Sequence, residues 1–133
     1  MRRHGLTAEI RLLPGGYTEE EGAKTAQSIL QGPLPTAVMT CNDRSAIGVL
    51  DTLIRAGVRI PEDVSVVGYD DSRLARLPGI DLTSVRQDLP TMAELAVRTL
   101  TDRLDQGPFE PRDLTTTPRL VIRSTTAAPR PTS

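Results

Sequence analysis

The run Val64-Ser-Val-Val-Gly68 constrains the fold of this chain more than any other stretch. It is apolar with one interruption and rich in β-branched residues, whose stiff side chains favour extended backbone over helix. A run this continuous suits a central strand of a parallel sheet covered on both faces. Parallel strands cannot be joined by a hairpin and need a crossover, usually a helix. The sequence on either side supplies crossovers of that kind. Thr7–Leu13 alternates and reads as a first strand ended by Pro14-Gly15-Gly16. Thr18-Glu-Glu-Glu21 reads as a capping box that opens a helix with Ala23, Ala26, Ile29 and Leu30 on one face, stopped by Gly32-Pro33.

Ala37–Cys41 reads as a short buried strand, with Cys41 as a small apolar residue inside it. Asn42-Asp43 then caps a second helix carrying Ala46, Ile47, Leu50, Leu53 and Ile54, which Gly57 ends. After the central run, Ser72–Leu77 is expected to form a short helix and Leu82–Val85 a strand. Thr91-x-x-Glu94 reads as a second capping box, opening a helix with Met92, Leu95, Ala96, Leu100 and Leu104 that Gly107-Pro108 stops. Arg119–Arg123 reads as a last strand, and the Pro-containing stretch from Ser124 as a flexible tail. The expected fold class is therefore α/β, a parallel sheet with flanking helices.

Composition narrows the chemistry. With 16 Lys plus Arg against 17 Asp plus Glu, the chain has no basic footprint for gripping DNA by itself. One cysteine excludes an internal disulfide framework and a cysteine-based zinc site. His4 is the single histidine and reads as a solvated end residue, which leaves a Ser-His-Asp triad or a histidine metal site without support. No apolar run reaches the length of a membrane span, and the N-terminus lacks the apolar core of a secretory signal, so a cytoplasmic location without membrane contact is expected. Rings for stacking on a ligand are few: Tyr17, Tyr69 and Phe109.

In an open parallel sheet, ligands bind beyond the carboxyl ends of the strands. The four expected exits carry Gly16-Tyr17, Asn42-Asp43, Tyr69-Asp70-Asp71 and Arg86-Gln87-Asp88, a polar rim suited to a small molecule. The carboxylates of Asp70 and Asp71 invite comparison with an acid–base pair or a Mg²⁺ site. Neighbours in extended backbone point to opposite faces, however, so the two do not converge on one substrate atom. With neither an activated nucleophile nor a phosphate-cradling glycine loop, an enzyme, a cofactor or a metal site is not expected.

The stretch Val58-Arg-Ile-Pro-Glu-Asp-Val-Ser-Val-Val-Gly-Tyr-Asp-Asp71 closely resembles the signature of the lactose-repressor/galactose-repressor family of bacterial transcription regulators. Pro35–Asp43 with Ala46-Ile-Gly48, Leu82–Asp88, Pro118–Thr125 and Gly16–Gly22 resemble the matching segments of that family in the same order, so the likeness runs from Leu6 to Thr126. The resemblance implies a lobe of a two-lobed, periplasmic-binding-protein type I fold, with a small effector, a sugar or a nucleobase, held between the lobes. It implies effector contacts at Tyr17, by stacking, and at Asn42, Asp70 and Gln87, by hydrogen bonding. It also implies a homodimer, with Leu74 and Leu77 as candidate contacts, and operator DNA bound through an N-terminal domain that this chain does not contain. Compared with that family, residues 1–126 match a second lobe short of its leading βα unit, with 127–133 as the tail, so a truncated product or a misplaced start is expected. The alternative is a fragment of a solute-binding protein of a sugar uptake system.

Overall fold

A computed structural model describes residues 3, 5–107 and 113–129. His4, Phe109, Pro108 and residues 130–133 of the expected tail lie outside them. The elements in chain order are α1 (Glu19–Leu30), β1 (Ala37–Met39), α2 (Asp43–Arg55), β2 (Ser65–Tyr69), a 3-10 turn (Leu74–Arg76), β3 (Ser84–Arg86), α3 (Leu89–Gln106) and β4 (Arg119–Val121). The sheet order is β1-β2-β3-β4. The pairs β1·β2 and β2·β3 are parallel, with Val38 opposite Val66 and Gly68 opposite Ser84, so the α/β expectation holds.

The capping box at Thr18 and Glu21 forms as expected, and Ala26 and Ile29 of α1 enter the core. There they meet Ala46, Val49, Leu50 and Leu53 of α2, Val64 and Val66 around β2, Ala75 of the 3-10 turn and Leu82. Full burial of a side chain such as Leu53 contributes about 1.5–3 kcal/mol. The two helices cross with backbone almost touching. A Cβ on Gly22 would overlap the Ser45 carbonyl of α2, and a Cβ on Gly48 would overlap the Glu19 carbonyl of α1. Reciprocal glycines therefore set how deeply α1 seats on α2, and so where the residues before α1 come to lie.

Several sequence expectations need correction. Thr7–Leu13 is not a strand: it forms turns, with Ile10 N–H donating to Thr7 O, and Leu12 is 90% exposed. Its alternation is real, but a strand needs a neighbour to take its hydrogen bonds, and the segment has none in the sheet. Ala37–Cys41 is a three-residue edge strand rather than a buried one; Met39 is 67% exposed and Cys41 is exposed, because β1 pairs on the β2 side only. β2 is not fully covered on both faces: its burial alternates, with Val66 and Gly68 inside and Ser65, Val67 and Tyr69 half-buried.

The Ser72–Leu77 helix shrinks to one 3-10 turn, since Leu77 is already extended. α3 begins earlier than Thr91: Asp88 is its N-cap, accepting from the Thr91 N–H, and a proline follows in the first turn. β4 is antiparallel to β3, with Arg119 opposite Arg86. The rhythm of strands and helices does not fix that direction. Finally, the stretch from Ser124 is held: Thr125 is buried, its hydroxyl donating to Val66 O, and Ala127 N–H donates to Ser65 Oγ.

Candidate functional site

Parallel β1, β2 and β3 all end on one edge of the sheet, and each exit delivers an expected residue there: Asn42, Asp70 and Gln87. Tyr17 reaches the neighbourhood by another route than a strand exit. Asn42 is the N-cap of α2, its Oδ1 accepting from Ser45 N–H at 2.9 Å, and its Nδ2 donates to the Tyr17 carbonyl at 3.1 Å. The Tyr17 N–H donates to Glu21 Oε2 at 2.9 Å, and the Thr18 N–H to the same oxygen at 3.1 Å. The Thr18 amide, its hydroxyl and the Tyr17 amide hold the Glu21 carboxyl below its ordinary range. A Cβ on Gly16 would overlap the Glu21 carboxylate and push that side chain off its capping bonds. The backbone of Tyr17 is thus pinned at two points while its side chain stays largely in solvent, the residue being 70% exposed.

The second pair is Asp70 with Gln87. Gln87 Nε2 donates to Asp70 Oδ1 at 2.7 Å, and the Asp70 N–H donates to Val85 O at 2.9 Å. Both residues are half-buried. The structure therefore joins the four expected residues in two separate bonded pairs, Tyr17 with Asn42 and Asp70 with Gln87. A free ring face, an amide and a carboxylate together can hold a small polar molecule that has one apolar face.

Asp71 has different partners from its neighbour, although the backbone at Asp70 and Asp71 has positive φ and is not the extended chain expected from sequence. It is buried and accepts from three guanidinium groups: Arg123 at 2.5 Å, Arg86 at 2.5 Å and Arg76 at 2.9 Å. Burial pushes the carboxyl up, but the hydrogen bonds from Arg123 and Arg86 and the charges of Arg123 and Arg76 outweigh it, so the group stays below the ordinary carboxylate range. Asp43 is buried as well, one oxygen accepting from the Ser72 N–H and the other from the Ser84 hydroxyl. It does not cap its own helix; Asn42 does.

The sequence reading missed the parts played by Asp43, Asp71 and Gly16. One signal was available for Asp43: a glycine inside a strand often marks a close approach, and a Cβ on Gly68 would overlap the Asp43 carboxylate. The three arginines around Asp71 come from separate elements and leave no local pattern. Leu74 is half-buried, and Leu77 is exposed beside Pro78 and Gly79. Next to them, a cavity of about 680 Å³ is lined by Ile47, Ile54, Ile60 and Ile80 among others, and none of the four rim residues reaches it. Among the described residues no cluster of His, Cys, Asp and Glu is arranged to hold a metal ion, and no helix is long and apolar enough to cross a membrane.

A family model described as a periplasmic binding protein-like domain matches residues 1–126. The HTH-type transcriptional regulator MalR of Streptomyces coelicolor is 37% identical over 122 residues, which are 92% of this chain and 36% of that protein. Among solved structures, a LacI transcriptional regulator from a Rhodococcus species is 48% identical, with a TM-score of 0.86 over 94% of this chain and 46% of the other. A LacI family transcriptional regulator from Enterococcus faecium, solved with bound ribose, is 26% identical, with a TM-score of 0.82 over 95% of this chain and 47% of the other. The chain thus spans about a third of the curated relative and about half of the solved chains. These relatives are named as transcriptional regulators.

Proposed function

This chain belongs to the periplasmic-binding-protein-like domain family of LacI-type transcriptional regulators, and from that premise we propose that it senses a small effector for such a regulator and helps it dimerise. The observation that carries the reading is the bonded rim. Asn42, Asp70 and Gln87 stand at three parallel strand exits; Asn42 holds the backbone carbonyl of Tyr17, whose ring is exposed, and Gln87 donates to Asp70. A sugar is the effector class this chemistry favours. Its hydroxyls suit the Asp70 carboxylate and the amides, its C–H face suits the ring, and the Enterococcus faecium relative holds ribose. A planar nucleobase stacks on the same ring and is the competing class. Regulation follows if the effector binds one arrangement of the lobes more tightly than another, which shifts the affinity of a distant DNA-binding domain. A regulator of this kind works in the cytoplasm, and operator DNA and a second copy are its macromolecular partners.

The dimer contact is proposed at Leu77 with Leu74 beneath it. The exposed Leu77 continues through Pro78 and Gly79 to the apolar cavity lined by Ile54 and Ile80. The regulator relatives favour this function over a solute-binding component of an uptake system. The test is a nuclear magnetic resonance titration of the ¹⁵N-labelled chain with ribose, hexoses and purine bases at millimolar concentration. One class is expected to move signals at Tyr17, Asn42, Asp70 and Gln87 together. Shifts confined to other residues, or none with any compound, would refute the assignment.

A further inference from the structure

Two consecutive residues other than glycine, Asp70 and Asp71, stand at φ 108° and φ 47°. L-residues seldom adopt this half of the backbone map, and they keep it only where the surroundings over-determine it. Here three successive amides supply the hold. The Asp70 N–H donates to Val85 O at 2.9 Å, the Asp71 N–H to Ser84 Oγ at 3.0 Å and the Ser72 N–H to Asp43 Oδ2 at 2.6 Å. The Ser84 hydroxyl in turn donates to Asp43 Oδ1 at 2.6 Å. The second and third anchors therefore end on one carboxylate, buried in the first turn of α2, where the helix dipole favours a negative charge. Gly68 keeps room for it, since a Cβ there would overlap the carboxylate.

We propose that Asp43 is a positioning residue of the effector site: its two oxygens fix the backbone of residues 70–72 and so aim the Asp70 carboxylate along the rim toward Gln87. The hydrogen bonds of Asp43 go to Ser72 and Ser84, neither of them a rim residue, so it acts through the loop and not on the effector. The inference rests on the reading of Asp70 as an effector contact, yet it concerns loop geometry and is tested with no effector present. Failure here therefore leaves the titration above to decide that reading on its own.

The experiment compares the ¹⁵N-labelled chain with its Asp43→Asn variant by amide hydrogen exchange and by the side-chain amide signal of Gln87. Asparagine keeps the shape but loses the charge: it can accept from only one of the two groups and can meet the Ser84 hydroxyl only as a donor, so the charge-assisted bonds that anchor the loop are lost. Exchange at Asp71 and Ser72 should quicken at least about tenfold, the loss expected for one hydrogen bond to a charged group. The Gln87 side-chain signal should move to the position of a free glutamine while the amides of Val66 and Gly68 keep their rates. An unchanged Gln87 signal with unchanged loop amides overturns the proposal. So does a uniform rise that includes Val66, which would mark a general loss of stability. If Asp43→Asn does not fold, Ser84→Ala, which removes only the bridging hydroxyl, decides by the same signals.

Discussion

Replacing Asp71 with asparagine isolates a buried ion-pair cluster, that of Asp71 with its three arginines. The side chain of Asp71 is fully buried, that of Arg123 is 13% exposed, and those of Arg76 and Arg86 are 55% and 43% exposed. The last two ion pairs are screened by water and each contributes about 0–1 kcal/mol. The Arg123 pair differs. Removing its anion leaves a buried guanidinium without compensation, which costs about 3–5 kcal/mol. Arg123 also donates to the Leu82 carbonyl at 2.6 Å and cannot swing into solvent without abandoning that bond. Asparagine retains one acceptor, so the lower half of the range is expected, about 3–4 kcal/mol. For a chain of this length that corresponds to a fall in Tm of about 10–16 °C.

The assay is urea and thermal unfolding followed by circular dichroism. Adding Arg123→Met to Asp71→Asn removes the stranded charge, so the double variant should be more stable than the sum of the single changes predicts, by about 1.5 kcal/mol or more. A loss under about 0.5 kcal/mol for Asp71→Asn, or strict additivity of the pair, would show that burial of the cluster does not govern its energy. The pH dependence has a definite sign. Because the folded-state pKa of Asp71 is lowered, its contribution is complete above the unfolded value of about 3.9 and is lost as pH falls through the folded one. Stability below pH about 4 should therefore fall less steeply in Asp71→Asn than in the unaltered chain.

Three further outcomes are expected. Gly48→Ala should cost about 1–3 kcal/mol or more by driving α2 off the Glu19 carbonyl, measured by urea unfolding. Cys41, exposed at the end of β1, should react with a thiol reagent in the folded chain at close to the rate seen after unfolding; a rate slower by orders of magnitude would restore the buried-strand reading. Leu77→Asp should shift a dimer toward monomer in analytical ultracentrifugation with little change in Tm, because Leu77 is exposed in the single chain.

Local patterns were legible where one segment carries its own reason. The capping box at Thr18–Glu21, the helical face of Ala46, Leu50 and Leu53, and the apolar run before Gly68 each became what their spacing requires. Thr7–Leu13 shows the limit, since alternation describes which face of a strand is apolar but not whether a partner strand exists. Cys41 shows it again: an apolar run looks buried in sequence, yet an edge strand exposes it. At the site, the strand-exit rule selected Asn42, Asp70 and Gln87. The Asp71 cluster and the Asp43 clamp stayed hidden because all their partners but Arg76 lie between 15 and 52 residues away in sequence.

The central claim is that the strand-exit rim holds an effector. Its most direct test is calorimetric titration of the chain and of its Asp70→Asn variant with whichever compound moves the rim signals. The account predicts affinity at least about tenfold weaker in the variant, the loss of one hydrogen bond to a charged group, at an unchanged Tm. Equal affinity in both chains, with Asp70→Asn still folded, would contradict it.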